Sequence, residues 1–146
     1  LKEKLAAVLE VRPSKIYGRG CFTLVPLKRR RKFAAYEGEL LRGRRRIMAR
    51  VRAQEEAGDI KVIQLNEDVA IDGAVGGNAT AFINHSCAPN AFMRVVPGDK
   101  LVFFALRDIA PGEEITINYR DPYHPAAGVC RCQAPNCRSN RRPRKS

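Results

Sequence analysis

Three thiols stand together near the end of the sequence, Cys130-Arg-Cys132-Gln-Ala-Pro-Asn-Cys137, a C-x-C-x4-C spacing. Tetrahedral zinc accepts four thiolates, and this segment has almost nothing apolar that could bury three cysteines as small hydrophobes. A fourth ligand must come from elsewhere, and only Cys21 and Cys87 remain. Cys21 sits in the apolar context Gly20-Cys21-Phe22 and reads as a core side chain. Cys87 follows Asn84-His85-Ser86 in a polar, turn-like stretch closed by Pro89-Asn90, so Cys87 is expected to join Cys130, Cys132 and Cys137 around one structural Zn2+. Such an ion would staple the C-terminal segment to the body of the domain.

Other chemistries find little support. Ser86 lacks the strand-turn-helix setting of a nucleophile elbow, and the second histidine, His124, stands between Tyr123 and Pro125 in a linker-like stretch, so Ser-His or Cys-His nucleophilic catalysis is not expected. No His-Glu-x-x-His segment and no phosphate-binding loop is present. Gly18 and Gly20 flank Arg19, but no helix follows them, and a dinucleotide loop needs a helix N-terminus directly after its glycines.

The elements that must position these residues are short. At 146 residues, 45% hydrophobic and 29% charged, the chain suits one domain with a small appendage. Leu1, Leu5, Val8 and Leu9 make a helical stripe that predicts a helical segment over 1–10, giving way near Val11 to extended chain with Pro13 as breaker. "FAAYEGELL" (Phe33 to Leu41) predicts a strand. "RRRIMARVRAQEEAG", with Ile47 and Val51 four apart, predicts a helix ended by Gly58. "KVIQL" and "VAI" predict two strands, "FMRVV-PGDK-LVFFAL" a hairpin, and "EITIN" one more strand. The expected class is β-rich, mainly β with a few short helices. The tail "RSNRRPRKS" has no apolar residue to anchor it and is expected to be disordered without a partner.

Charge is unevenly spread. The formal net charge is +12, with a local balance of +9 from Leu27 to Arg52 and −5 from Ala53 to Asp72. The first run suits polyphosphate such as DNA, and the second suits a cationic peptide. No apolar run approaches the ~20 residues of a membrane span, and no signal-peptide pattern opens the sequence. Five cysteines, an odd number unevenly spaced, argue for a reducing compartment.

In order along the chain, "YGRG" (Tyr17 to Gly20), "YEGELL" (Tyr36 to Leu41), Ile71-Asp72, "GNATAFINHSCAPN" (Gly77 to Asn90), "ALRDIAPGEEITINY" (Ala105 to Tyr119) and "CRCQAPNC" resemble the SET-domain protein lysine methyltransferases with a post-SET zinc segment. The resemblance covers about Val11 to Cys137, with "NHSCAPN" and "GEEITINY" its most specific pair. It implies a SET-domain fold of short curved sheets, in which Asn84–Asn90 and Glu113–Tyr119 meet in a knot-like threaded crossing of a kind rare in proteins. It further implies a SET domain over 11–121 with an insert about 42–68, a linker over 122–129, a post-SET segment over 130–138 and a basic tail over 139–146.

By the same resemblance, S-adenosylmethionine would be bound by Tyr17, Gly18, Arg19, Gly20, Asn84 and His85, with Tyr119 and Cys132 also at the cofactor. His85 would contribute mainly its backbone. Tyr119 matches the family's catalytic tyrosine, and Tyr36, counted with it as catalytic, would also line the channel for the substrate lysine with Ile117. The substrate would be a histone or another basic tail, with DNA contact through the basic surface and a nuclear setting, or a cytoplasmic one if the source is bacterial. The sequence departs from the family at three places. Ile117 replaces the common Phe or Tyr two residues before the catalytic tyrosine, which points beyond monomethylation. Gly76 and Ala81 replace an aromatic and an arginine that lie near the cofactor's amino-acid end in relatives. The alternative reading is a catalytically silent SET module that binds peptide or nucleic acid. A zinc-dependent nucleic-acid protein unrelated to methylation would leave the paired motifs unexplained.

Overall fold

A computed structural model of the protein describes residues 8–119. The linker, the post-SET segment with Cys130, Cys132 and Cys137, and the basic tail lie outside the described residues, as does most of the expected N-terminal helix.

Short strands dominate. Strands β1 (Leu9–Pro13) and β2 (Arg19–Thr23) pair antiparallel, and β2 continues to β10 (Glu114–Ile117) and then β7 (Asn84–His85), giving the order β1-β2-β10-β7. The helical stripe of the sequence is therefore overturned at its end: Leu9 opens β1 opposite Thr23 and is buried. Pairing along the sheet outweighs a stripe of four apolar residues. Pro13 closes β1, an outer strand, where its missing N–H disturbs the ladder little.

The second sheet, in the order β3-β9-β8, consists of β3 (Lys32–Ala35), β9 (Lys100–Ala105) and β8 (Ala91–Val96). The hairpin between β8 and β9 turns at Gly98 and Asp99, both at positive φ (92° and 58°). Its inward side chains, among them Ala91, Leu101, Phe103 and Ala105, join Phe33, Ile109 and Ile115 in the main core. Full burial of a side chain such as Phe103 contributes about 1.5–3 kcal/mol, and its ring lies 6.2 Å from both Phe33 and Tyr36, so the core runs directly under one of the candidate site residues.

The third sheet holds β4 (Glu39–Arg42), β6 (Val69–Asp72) and β5 (Val62–Gln64) in the order β4-β6-β5. Helix α1 (Arg44–Ala57) packs on it through Ile47, which is fully buried with Leu41, Val62 and Ala70, while Val51 packs at the edge. The helix ends at Gly58, as its sequence predicts. The run Phe33–Leu41 differs from expectation. It divides between two sheets, because the chain must cross tightly over β6: a Cβ at Gly38 would come 2.1 Å from the Asp72 carbonyl oxygen. Asp72 itself, counted by sequence among the solvated acids of the acidic strip, is fully buried.

Candidate active site

The two stretches expected to cross are hydrogen-bonded neighbours. Strand β7 runs parallel to β10, with Asn84 opposite Thr116 and His85 opposite Ile117, and Ser86 N–H donates to the Ile117 carbonyl at 2.9 Å. Asn90 extends the clasp. Its amide donates to the Glu114 carbonyl at 2.8 Å, and its Oδ1 accepts from Thr116 N–H at 2.9 Å, so one buried side chain mimics a strand's donor and acceptor. Sequence motifs signalled the meeting of these segments but not this role of Asn90.

Tyr119 follows β10 and is fastened to the β7 flank at three points. Its N–H donates to His85 Nδ1 at 2.9 Å, its ring lies 5.4 Å from the imidazole at 60°, and its hydroxyl donates to the Ile83 carbonyl at 2.6 Å. Tyr36, buried beside Phe103, donates its hydroxyl proton to the Lys61 carbonyl. Burial pushes both phenols well above the ordinary tyrosine range. Neighbouring Tyr119 and then Asp72 and Asp59 add to the shift at Tyr36, and Asp59 and Glu114 add to it at Tyr119. Both are therefore neutral hydroxyls whose protons are given to backbone carbonyls. A hydroxyl oxygen that donates its proton can still accept, and an N–H-rich group is the ligand such oxygens suit; at Tyr36 the Gly73 backbone already bonds to the phenol and offsets part of the shift.

Asn84 ties the Tyr17–Gly20 loop to this centre. Its buried Nδ2 lies 3.1 Å from the Tyr17 carbonyl, 3.0 Å from that of Arg19, 2.9 Å from Glu114 Oε2 and 3.2 Å from Ser14 Oγ. Ser14 in turn donates to Glu114 and accepts from Ile16 N–H. The loop is fixed from beneath, and its outer side is open: nothing lies within 4 Å of where a Cβ would stand at Gly18, and Tyr17 and Arg19 are exposed. Ile117 is buried in the main core. Gly76 has a positive φ of 69° and open space around it, and Ala81 is buried in a short 3-10 turn, Ala79–Phe82, capped by the Asn78 side chain on Thr80 N–H.

His85 is 1% exposed, and both ring nitrogens face protein partners. Since Nδ1 accepts from Tyr119, the proton sits on Nε2, which faces Cys87 Sγ at 3.2 Å. A base needs a free lone pair toward its substrate, so the imidazole is a strut between Cys87 and Tyr119. Cys21 is fully buried, as its apolar context predicts, and burial, with the Glu114 charge second, pushes its thiol up to about 12. Among the described residues no group of three or more His, Cys, Asp or Glu side chains converges on a metal position. The partners expected for Cys87 lie outside them.

Short sheets that bring two neutral phenols, a pinned glycine loop and an Asn-His strand together define a small β-rich domain with one candidate site. The family model of the SET domain matches residues 18–120. The chain belongs to the SET-domain family. It is 38% identical over 132 residues to a histone-lysine N-methyltransferase, H3 lysine-4 specific, of Schizosaccharomyces pombe, covering 86% of this chain and 14% of that protein. It is 36% identical over 138 residues to a variant-silencing SET domain-containing protein of Plasmodium falciparum, covering 88% of this chain and 5% of that one. It is 34% identical over 146 residues to histone-lysine N-methyltransferase 2B of Homo sapiens, covering 94% and 5% respectively. The chain thus spans a small part of the length of these relatives.

Proposed function

We propose that the chain is an S-adenosylmethionine-dependent protein-lysine N-methyltransferase acting on a histone or another basic tail. The observation that carries this reading is the pair of phenols, half-buried Tyr119 and buried Tyr36, each with its proton committed to a backbone carbonyl. Their oxygens can accept N–H bonds from an amine and cannot compete with it as nucleophiles at neutral pH. The kinship with proteins named as histone-lysine methyltransferases supports the same substrate class.

S-adenosylmethionine supplies an electrophilic methyl carbon on a sulfonium that leaves as a neutral thioether. The Tyr17–Gly20 loop, with Asn84 and the backbone of His85, would hold it; the loop's open outer side and fixed inner side fit that task. The substrate lysine enters as an ammonium and must lose one proton to solvent before its lone pair can form the new N–C bond. Tyr36 and Ile117 would line its channel, and Tyr119 would orient the amine for in-line attack. Ile117 in place of a phenol or phenyl ring would leave room for more than one methyl. Cys87, held by His85, would complete a zinc site with Cys130, Cys132 and Cys137, and Cys132 would reach the cofactor. The Nε2–H of His85 directed at sulfur suits a thiolate ligand. A SET unit over 11–121 and a nuclear setting complete the reading.

The exposed Arg44, Arg45 and Arg52 on α1, with Gly76 and Ala81 at the departures from the family pattern, favour a second reading: a silent SET module that binds peptide or nucleic acid. Among the described residues no helix is long and apolar enough to cross a membrane. Labelled methyl transfer to a histone panel, followed by mapping of the modified residue, decides between the two. Label on a lysine supports the enzyme; salt-sensitive DNA binding with no transfer supports the silent module.

A further inference from the structure

The hydroxyl of Tyr36 rests on Lys61, whose backbone is held on both sides of its Cα. The Lys61 carbonyl accepts from Tyr36 and from Gly73 N–H at 3.0 Å, and the Lys61 N–H donates to Gln54 Oε1 at 2.6 Å. Gln54 reaches that backbone from α1, and its Nε2 donates to Asp72 Oδ1 at 2.9 Å. Asp72 is fully buried at the end of β6. Its Oδ1 also accepts from Ala74 N–H at 2.9 Å, and its Oδ2 accepts from Arg50 Nη1 at 2.6 Å. Arg50 spans from there to Glu39 at 2.9 Å.

This chain of bonds has a direction. The carboxylate accepts only, so the Gln54 NH2 must face it and the Gln54 oxygen must face Lys61; the flipped amide would set oxygen against oxygen and N–H against N–H. The Lys61 N–H belongs to the Ile60–Lys61 peptide and the Lys61 carbonyl to the Lys61–Val62 peptide, so Gln54 acts on that carbonyl by fixing the residue between the two peptides in place. The phenol proton is thereby kept on Lys61 and away from the channel.

We infer that Gln54, oriented by Asp72 and Arg50, is a positioning residue for Tyr36, acting through the placement of the Lys61 backbone to keep the Tyr36 hydroxyl an acceptor toward the substrate amine. The inference rests on the methyltransferase reading for its consequence, and on the described bonds for its geometry. Without Gln54 the backbone at Lys61 can shift and move its carbonyl off the phenol, and the released hydroxyl can turn its proton onto the amine lone pair that must attack. That lowers turnover more than it lowers cofactor affinity, because Gln54 lies on the Tyr36 side of the site and makes no bond to the Tyr17–Gly20 loop or to Asn84.

The test is Gln54→Met, with Arg50→Lys as a second, milder change acting on Gln54 through Asp72, and Arg45→Ala on the exposed side of the same helix as control. The chain is labelled with 3-fluorotyrosine, and its four tyrosine signals are assigned by Tyr→Phe replacement. Gln54→Met is expected to shift the Tyr36 fluorine resonance and leave Tyr17 in place, Arg50→Lys to shift it less, and Arg45→Ala not at all. In methyl transfer, kcat should fall roughly tenfold in Gln54→Met, the scale of one buried hydrogen bond, with the dissociation constant of S-adenosylmethionine unchanged within about twofold. A Tyr36 resonance unmoved in both folded variants overturns the inference. Should Gln54→Met fail to fold, Arg50→Lys alone decides. Absence of transfer by the unaltered chain overturns the methyltransferase reading instead, and the fluorine arm still judges the geometry.

Discussion

At the scale of single residues, the site depends on hydroxyl groups that do not ionise. The folded-state values of Tyr36 and Tyr119 lie above those of an unfolded tyrosine, so the stability gained by burying neutral phenols is fully present below pH ~10 and is lost as pH rises through the folded-state values. Spectrophotometric titration should therefore find that neither phenol contributes tyrosinate at pH ~10, and that both do so only as the chain unfolds. A tyrosinate signal at that pH that disappears in Tyr36→Phe or Tyr119→Phe would contradict this. Gly73 offers a steric counterpart. A Cβ there would stand 2.5 Å from the Tyr36 oxygen and 2.7 Å from Cζ, in a buried setting. Gly73→Ala should cost about 1–3 kcal/mol in a urea melt and should displace Tyr36 as well; a change below ~0.5 kcal/mol would mean the ring yields freely.

At the scale of elements, α1 and the third sheet act as one piece through Asp72. Burial alone would raise this carboxyl, but hydrogen bonds from Gln54, Ala74 and Arg50, with the Arg50 charge, hold it below the usual carboxylate range. The folded value is thus depressed, so its contribution is present above the unfolded value of ~3.9 and is lost as pH falls through the folded one. Asp72→Ala, which leaves Arg50 and Gln54 without their acceptor, should cost about 3 kcal/mol at neutral pH, and the gap to the unaltered chain should narrow in acid. A gap that stays constant down to pH ~2 would remove the carboxylate from the account.

The same elements mark where sequence stops being informative. Helix α1 and the hairpin of β8 and β9 were legible because local periodicity and turn residues decide them. The division of Phe33–Leu41 between two sheets was not, since the cause is a backbone 34 residues away at Asp72 that only Gly38 can pass. Nor could charge counting separate Asp72 from the exposed acids around it. Tyr36, Asn84, His85 and Tyr119 were singled out through motifs, whereas Asn90, Gln54 and the Lys61 backbone carry no motif of their own here. Their parts come from tertiary partners 7 to 26 residues distant.

At the scale of the whole molecule, the arginines of α1 divide between surface charge and internal ties. Arg44, Arg45 and Arg52 project from α1, whereas Arg50 is consumed by Glu39 and Asp72. Replacing the three exposed arginines by glutamate should abolish salt-sensitive binding to duplex DNA and change stability by no more than ~0.5 kcal/mol; DNA affinity that survives the change would place the contact elsewhere on the chain.

The central claim is that the Tyr119 hydroxyl, set by the Ile83 carbonyl, directs methyl transfer to a lysine amine. The most direct measurement compares the unaltered chain with Tyr119→Phe in labelled methyl transfer to the same mapped histone lysine, with S-adenosylmethionine binding measured in parallel. The account predicts transfer by the unaltered chain and a loss of about 10²-fold or more in kcat on removal of the hydroxyl, with cofactor affinity retained. Equal rates from the two proteins, or label that lands on no lysine, would contradict it.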